Sequence, residues 1–259
     1  MISETPTTVI DDISSGPQWQ LGGFNLRCTT RLALQQHLRN NLLAGNQCTL
    51  FFANTNFIVQ CQPLQEQINN SHAIIVNDGI GIDIATWLVH RQTFPENLNG
   101  TDFVPDYLHN VREYARVFLL GGKPGVAARA ALTLKEQFGV EVVGTCDGYC
   151  QANNIERVVA SINATRANIL LVAMGNPLQE QWILTHRSQL KVKLLIGVGA
   201  LFDFLAGDKP RAPRFIQRLR LEWLYRLCLE PSRLIRRYTV DIGAFLALCL
   251  RKKDREQLH

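Results

Sequence analysis

Short, continuous apolar runs alternate with longer amphipathic ones along this chain. RLALQQHLRNNLLAG (31–45) has helical spacing, CTLFFAN (48–54) is a dense β-rich run, FIVQCQPLQEQINNS (57–71) is again helix-like, and AIIV (73–76) is a second apolar run. The order continues through RVFLL (116–120), a glycine-rich turn, a helix over 125–138, VEVVGT (140–145), a helix over 154–165, NILLVAM (168–174), a helix over 179–190 and KLLIGVG (193–199). Runs without a polar face, joined by amphipathic helices, predict an α/β fold: a Rossmann-like, mostly parallel sheet flanked by helices on both faces. Residues 1–20 are polar and acidic and read as a disordered arm; the α/β domain is expected over 21–208. Beyond Asp208 two proline steps separate helical segments rich in Arg, Leu and aromatics, so 209–259 is expected to be a basic helical C-terminal appendage. Its last apolar stretch, VDIGAFLALCL, is about half the roughly 20 residues a spanning helix needs, so it should lie on a bilayer or pack locally.

Ligands of such sheets bind outside the carboxyl ends of the strands, which directs attention to the loops after each apolar run. Asp78 follows the run 73–76 directly, with Gly79 and Gly81 leaving room for a ligand or for backbone. A carboxylate there can take a proton from an attacking hydroxyl, or it can cap the following helix; both readings fit NDG. Gly121-Gly122-Lys123-Pro124-Gly125 stands between a strand and a helix, an arrangement that aims free N–H groups at an anion or simply makes a tight connection. It matches neither GxGxxG nor GxxxxGK[ST], which disfavours a dinucleotide-dependent dehydrogenase and a P-loop ATPase. Tyr149 and Asp203 sit at two further strand ends, where a ring can cover a base and a carboxylate can bind ribose hydroxyls; a core-edge position is the plainer reading of Tyr149. Gln179 and Glu180 open a helix after a proline and also read as ordinary first-turn residues. Trp182 and Trp223 read as core or interfacial side chains.

At 46% hydrophobic and 19% charged residues, the composition describes a core-forming globular chain. Its N-terminal stretch has no charged start followed by an apolar run, so no secretory signal is read and a cytoplasmic protein is expected. The seven cysteines are scattered without a CxxC pair, and all are expected to be reduced and mostly buried. Cys146 and Cys150 with His90 or His109 form no closed zinc set. Net charge is +5, unevenly spread: from Arg211 onward twelve Lys and Arg face five Asp and Glu, whereas the preceding 15 bases and 17 acids leave −2. With Trp223, Tyr225 and Tyr238, the arginines 226, 233, 236 and 237 suit a membrane surface and lipid pyrophosphate. Nucleic acid is disfavoured, because no recognised DNA or RNA module surrounds them. A non-catalytic nucleotide- or RNA-binding module with a basic tail is the competing reading from another class.

The ordered set NDGIGIDIA (77–85), NGTD (99–102), FLLGGKPGVAARAA (118–131), VGTCDGY (143–149), ILLVAMGNPLQEQW (169–182), GVGALFDFLAG (197–207), PRAPR (210–214), LEWLYRL (221–227) and EPSRLIRRY (230–238) resembles the WecG/TagA/CpsF family of bacterial glycosyltransferases over roughly 20–240. The resemblance implies inverting transfer from a UDP-sugar to a polyprenyl-diphosphate-linked sugar, without a required metal or other cofactor. It also implies a catalytic 21–208 domain and a peripheral protein at the cytoplasmic face of the inner membrane. A homo-oligomer is left open. On this resemblance Asp78 matches the catalytic base. Tyr149 and Asp203 hold uridine and Gln179 lines the sugar pocket. Asn54, Asn56, Gly79, Asn99, Asp102, Gly121 and Gly122 belong to the donor site, and Arg226, Arg233, Arg236 and Arg237 reach the acceptor diphosphate. Asn54-Thr55-Asn56 replaces a common Thr-x-Asn, and Asn97 stands where many relatives carry Arg. FFANTNF and ENLNGTD look more like the xanthan-type exopolysaccharide branch, which implies glucose from UDP-glucose; N-acetylmannosamine or its uronate is the alternative donor.

Overall fold

The computed structural model describes residues 16–148, 155–213, 216, 224, 225, 227 and 242–250. It opens with an antiparallel hairpin, β1 (Gln18–Leu21) and β2 (Phe24–Arg27), turned by Gly22 and Gly23 at φ 55° and 87°. Two successive left-handed residues make the tight turn whose twist matches a hairpin, and glycine adopts them without a Cβ clash. β1 begins inside the segment expected as an arm, and the hairpin is not foreseen by the run pattern.

Helix α1 (Arg31–Ala44) is capped by Thr30, whose hydroxyl accepts from the Ala33 N–H, and it ends on left-handed Gly45. Then come β3 (Cys48–Ala53), α2 (Thr55–Gln60), α3 (Gln65–Asn70), β4 (Ile74–Asn77), α4 (Ile80–His90) and α5 (Gly100–Asn110). The helix expected over 57–71 is therefore two short helices with a 3₁₀ turn at Gln62–Leu64 between them. Pro63 lacks the N–H that an uninterrupted helix would use. The chain continues through β5 (Arg116–Gly121), α6 (Val126–Phe138), β6 (Glu141–Cys146), α7 (Ile155–Ala164), β7 (Ile169–Ala173), α8 (Leu178–His186), β8 (Leu194–Gly197) and α9 (Leu201–Leu205).

Six strands form one parallel sheet in the order β4-β3-β8-β7-β5-β6. Alternate residues of each inner strand feed two separate cores. Leu50, Val117, Leu119, Leu171 and Ile196 face a layer with α1, α5, α6 and α9. Phe51, Phe118, Leu120, Leu170 and Leu195 face the hairpin with α2, α3, α4, α7 and α8. This explains the continuous apolar runs: a strand buried on both faces has no position for a polar residue.

The connections fix where a ligand can enter. From β5 the chain leaves through α6 to the edge strand β6, whereas from β7 it leaves through α8 toward β8, and the two helices lie on opposite faces. The carboxyl ends of β5 and β7 therefore flank a switch point. Among the described residues no helix is long and apolar enough to cross a membrane. Residues 242–250 are helical, with Phe245 and Cys249 buried in the hairpin-side core and Leu246 packed against it. That part of the final apolar stretch packs locally.

Candidate active site at the carboxyl end of the sheet

The loops after all six parallel strands are stitched into one rim. At the β4 end, Asp78 donates its backbone N–H to Ala53 O (2.8 Å), which ties it to the end of β3. Gly79 follows at φ 94°, with open space where a side chain would stand, and its N–H donates to Asn97 Oδ1 (2.8 Å). Asn77, buried beneath, donates to Glu96 O (2.9 Å) and Asp83 Oδ1 (3.3 Å). Asp78 is thus half-buried at a strand end whose backbone is fixed from both sides. Helix α4 has no side-chain cap.

Asn54 caps α2, its Oδ1 accepting from the Phe57 N–H (3.1 Å), and Asn99 caps α5 by accepting from the Thr101 N–H (2.8 Å). These side-chain oxygens serve the helix starts. Asp102, in the first turn of α5, is ion-paired with Arg211. Asn56 instead reaches across the rim, its Nδ2 donating to Asn176 Oδ1 (3.1 Å) in the loop after β7.

At the switch point Gly122 N–H donates to Ala173 O (2.8 Å), and Gly148 N–H, after β6, donates to Gly122 O (2.9 Å). A Cβ on Gly121 would lie 2.3 Å from Ala173 O, so no other residue lets β5 and β7 approach this closely at their ends. Gly125 starts α6 in the left-handed conformation without a side-chain cap. The N–H groups of its first turn therefore present partial positive charge beside the Gly121-Gly122 turn. Asp203, after β8, pairs with Lys209 Nζ (3.0 Å), and Arg129 of α6 pairs with Asp208 (2.6 Å).

A family model described as Glycosyl transferase WecG/TagA/CpsF family matches residues 19–258. The chain belongs to that family. It is a glycosyltransferase.

In this glycosyltransferase, Gln179 and Glu180 are buried, at 4% and 0% exposure. Gln179 accepts from the Gly199 N–H (2.9 Å) and donates to Glu180 Oε1 (2.7 Å), so both ends of its amide are engaged below the rim. Burial raises the Glu180 carboxyl above the ordinary carboxylate range, opposed by donors from Gln179, Asn176 and Cys61. The Cys61 thiol is pushed upward by burial and by that same carboxylate. The sequence presents Glu180 only as an ordinary first-turn residue, Asn97 only as a departure from a common arginine and Asn176 only within ILLVAMGNPLQEQW; nothing in it shows that Glu180 and Asn176 are bonded to each other. Trp182 lies in the core as expected.

Tyr149, Cys150, Trp223, Arg226, Arg233, Arg236, Arg237 and Tyr238 lie outside the described residues. The expectation of seven reduced thiols is corrected at Cys146, which ends β6 and is disulfide-bonded. Cys28, Cys48, Cys61 and Cys249 are free thiols. Of the histidines weighed as zinc ligands, His90 Nε2 lies 2.8 Å from Gln20 O and His109 Nδ1 2.9 Å from Phe138 O.

Proposed function

We propose that this glycosyltransferase moves glucose from UDP-glucose, with inversion, onto a polyprenyl-diphosphate-linked sugar in exopolysaccharide assembly, as a peripheral protein at the cytoplasmic face of the inner membrane. The observation that carries the reading is the half-buried Asp78, at the β4 end and beside open, left-handed Gly79, in the same rim as the uncapped start of α6. The acceptor hydroxyl attacks the anomeric carbon while the bond from that carbon to the diphosphate oxygen breaks. The electron pair leaves with UDP, and the Asp78 carboxylate takes the hydroxyl proton. Backbone N–H groups at the α6 start, behind Gly121 and Gly122, offset charge on the leaving diphosphate, so no metal is required. Tyr149 covers uracil, and Asp203 binds ribose in exchange for Lys209. Residues 209–259 carry Arg226, Arg233, Arg236 and Arg237 to the lipid diphosphate.

A neutral sugar is favoured because the group bonded to Gly79 is the uncharged amide of Asn97, which offers no cation to a uronate. The test is incubation of the full chain with a panel of radiolabelled UDP-sugars and synthetic polyprenyl-diphosphate-glucose, with and without EDTA. Glucose incorporation from UDP-glucose, insensitive to EDTA, is expected. Incorporation of N-acetylmannosamine or its uronate alone reassigns the donor, and no transfer from any donor overturns the proposal.

A further inference from the structure

The buried centre beneath the rim consists of one carboxylate and a set of amides arranged with a single polarity. Glu180 Oε1 accepts from both Asn176 Nδ2 (2.7 Å) and Gln179 Nε2 (2.7 Å), while Oε2 faces the Cys61 thiol at 3.6 Å. A carboxylate only accepts. Both amides must therefore turn their NH₂ groups inward and their oxygens outward. The Asn176 oxygen then takes the NH₂ of Asn56 (3.1 Å), and the Gln179 oxygen takes the N–H of Gly199 (2.9 Å). One acceptor atom thus fixes the orientation of three side-chain amides, of Asn56 at the start of α2, Asn176 in the loop after β7 and Gln179 at the start of α8, and holds the loop after β8.

Holding a fully buried carboxylate is costly unless something repays its desolvation. Among the described residues no salt bridge reaches Glu180. Its stabilisation comes from neutral donors instead, a poor arrangement for stability alone. What the arrangement supplies is direction. With its NH₂ committed to Asn176, half-buried Asn56 has its Oδ1 left to offer at the rim, which makes it an acceptor for a sugar hydroxyl.

We propose that Glu180 is a positioning residue that sets the amide polarity of Asn176 and Asn56, and thereby which hydroxyl configuration of the donor sugar this enzyme accepts. The inference rests on the donor reading above, in that the sugar of the nucleotide donor lies against the loops after β3 and β7. A flipped Asn56 would present NH₂ in place of oxygen, and a ligand hydroxyl held as a donor would lose its partner.

The experiment compares Glu180→Gln with Glu180→Met in the full chain. Glutamine keeps one acceptor oxygen for the two amides; methionine has a similar shape without one. UDP affinity is measured by calorimetry, and donor KM and kcat are measured with UDP-glucose and with UDP-sugars differing from it at one hydroxyl. Glu180→Met should bind UDP within about twofold of wild type but show a KM for UDP-glucose roughly tenfold higher or more, with discrimination among the epimers reduced. Glu180→Gln should recover most of both. An equal loss for UDP and for UDP-sugar marks a merely structural role and overturns the proposal, as does unchanged discrimination in Glu180→Met. Asn176→Ala cuts the relay to Asn56 while leaving the buried carboxylate in place. Should Glu180→Met not fold, wild-type discrimination in Asn176→Ala overturns the proposal. Failure of the wild type to bind UDP or turn over any UDP-sugar refutes the donor reading itself, and is read before the variants.

Discussion

Replacing Phe245 by alanine asks whether the C-terminal helical segment is part of the α/β domain's core or only rests upon it. Phe245 is 1% exposed within the cluster formed by the β1–β2 hairpin, the helices on that face and the inner strands. Truncating a fully buried phenylalanine costs roughly 3–5 kcal/mol, the lost transfer of the ring plus the cavity it leaves. In a domain of this size each kcal/mol lowers the melting temperature by about 2–4 °C, so a fall of roughly 6–20 °C is expected. Urea and thermal unfolding followed by circular dichroism supply the measurement. Cys249, one helical turn further on, provides a second readout, because burial pushes its thiol up to about 12 and only 3% of it is exposed. It should resist thiol reagents in the wild type and become reactive in Phe245→Ala at temperatures where the rest of the chain is still folded. A melting shift below about 2 °C, with Cys249 already reactive in the wild type, would refute the reasoning and release this helix for a bilayer.

Asp78→Asn should leave the fold and UDP affinity nearly intact while lowering turnover by roughly 10² to 10⁴, the usual loss of a general base; near-full activity removes Asp78 from the mechanism. Tyr149→Ala and Asp203→Ala should each weaken UDP binding in calorimetry, and unchanged dissociation constants in both place uridine elsewhere. Replacing Arg226, Arg233 and Arg236 together by alanine should leave co-sedimentation with anionic liposomes at moderate salt but make sugar transfer very slow; wild-type transfer assigns these arginines to membrane attraction alone.

The parallel sheet was legible because β3, β5, β7 and β8 are buried on both faces, and such strands have to be written as unbroken apolar runs. The hairpin was missed although its signal was present: Gly22-Gly23 between two four-residue segments whose apolar positions alternate. Only β1 overlaps the expected arm, and neither strand is a continuous apolar run like those of the parallel sheet, being QWQL and FNLR. For the rim, sequence order was enough to name the strand-end loops, since topology alone sends their polar residues to one edge. It did not show which side chains are spent on the protein's own backbone. Asn54 and Asn99 cap helices through contacts two or three residues away, a local signal that N-cap preference carries, although the resemblance assigned both to the donor site. The links of Asn56 to Asn176 and of Cys61 to Glu180 span 120 and 119 residues, and no local pattern encodes them. The resemblance, not its position, put Gln179 in the sugar pocket, and its amide is bonded to Gly199 and Glu180.

The four residues from Asp208 to Arg211 carry three ion pairs, to Arg129 on α6, Asp203 on α9 and Asp102 on α5. All of these pairs are partly exposed, so each holds by only about 0.2–1 kcal/mol at ordinary ionic strength. The side chains at the root of the C-terminal region are therefore moored by charge, beside backbone bonds from the Asp208 and Lys209 N–H groups to Asp203 O (2.9 and 3.1 Å), on the side of the sheet opposite the core that seats Phe245. A mooring of this kind yields to salt, with a Debye length of about 8 Å at 0.15 M and about 3 Å at 1 M. It also yields to any anion that competes for Lys209 and Arg211. Among the described residues, two attachments of this region thus respond to different disturbances: heat or truncation undoes the one at Phe245, and ionic strength or a bound polyanion weakens the one at Asp208–Arg211.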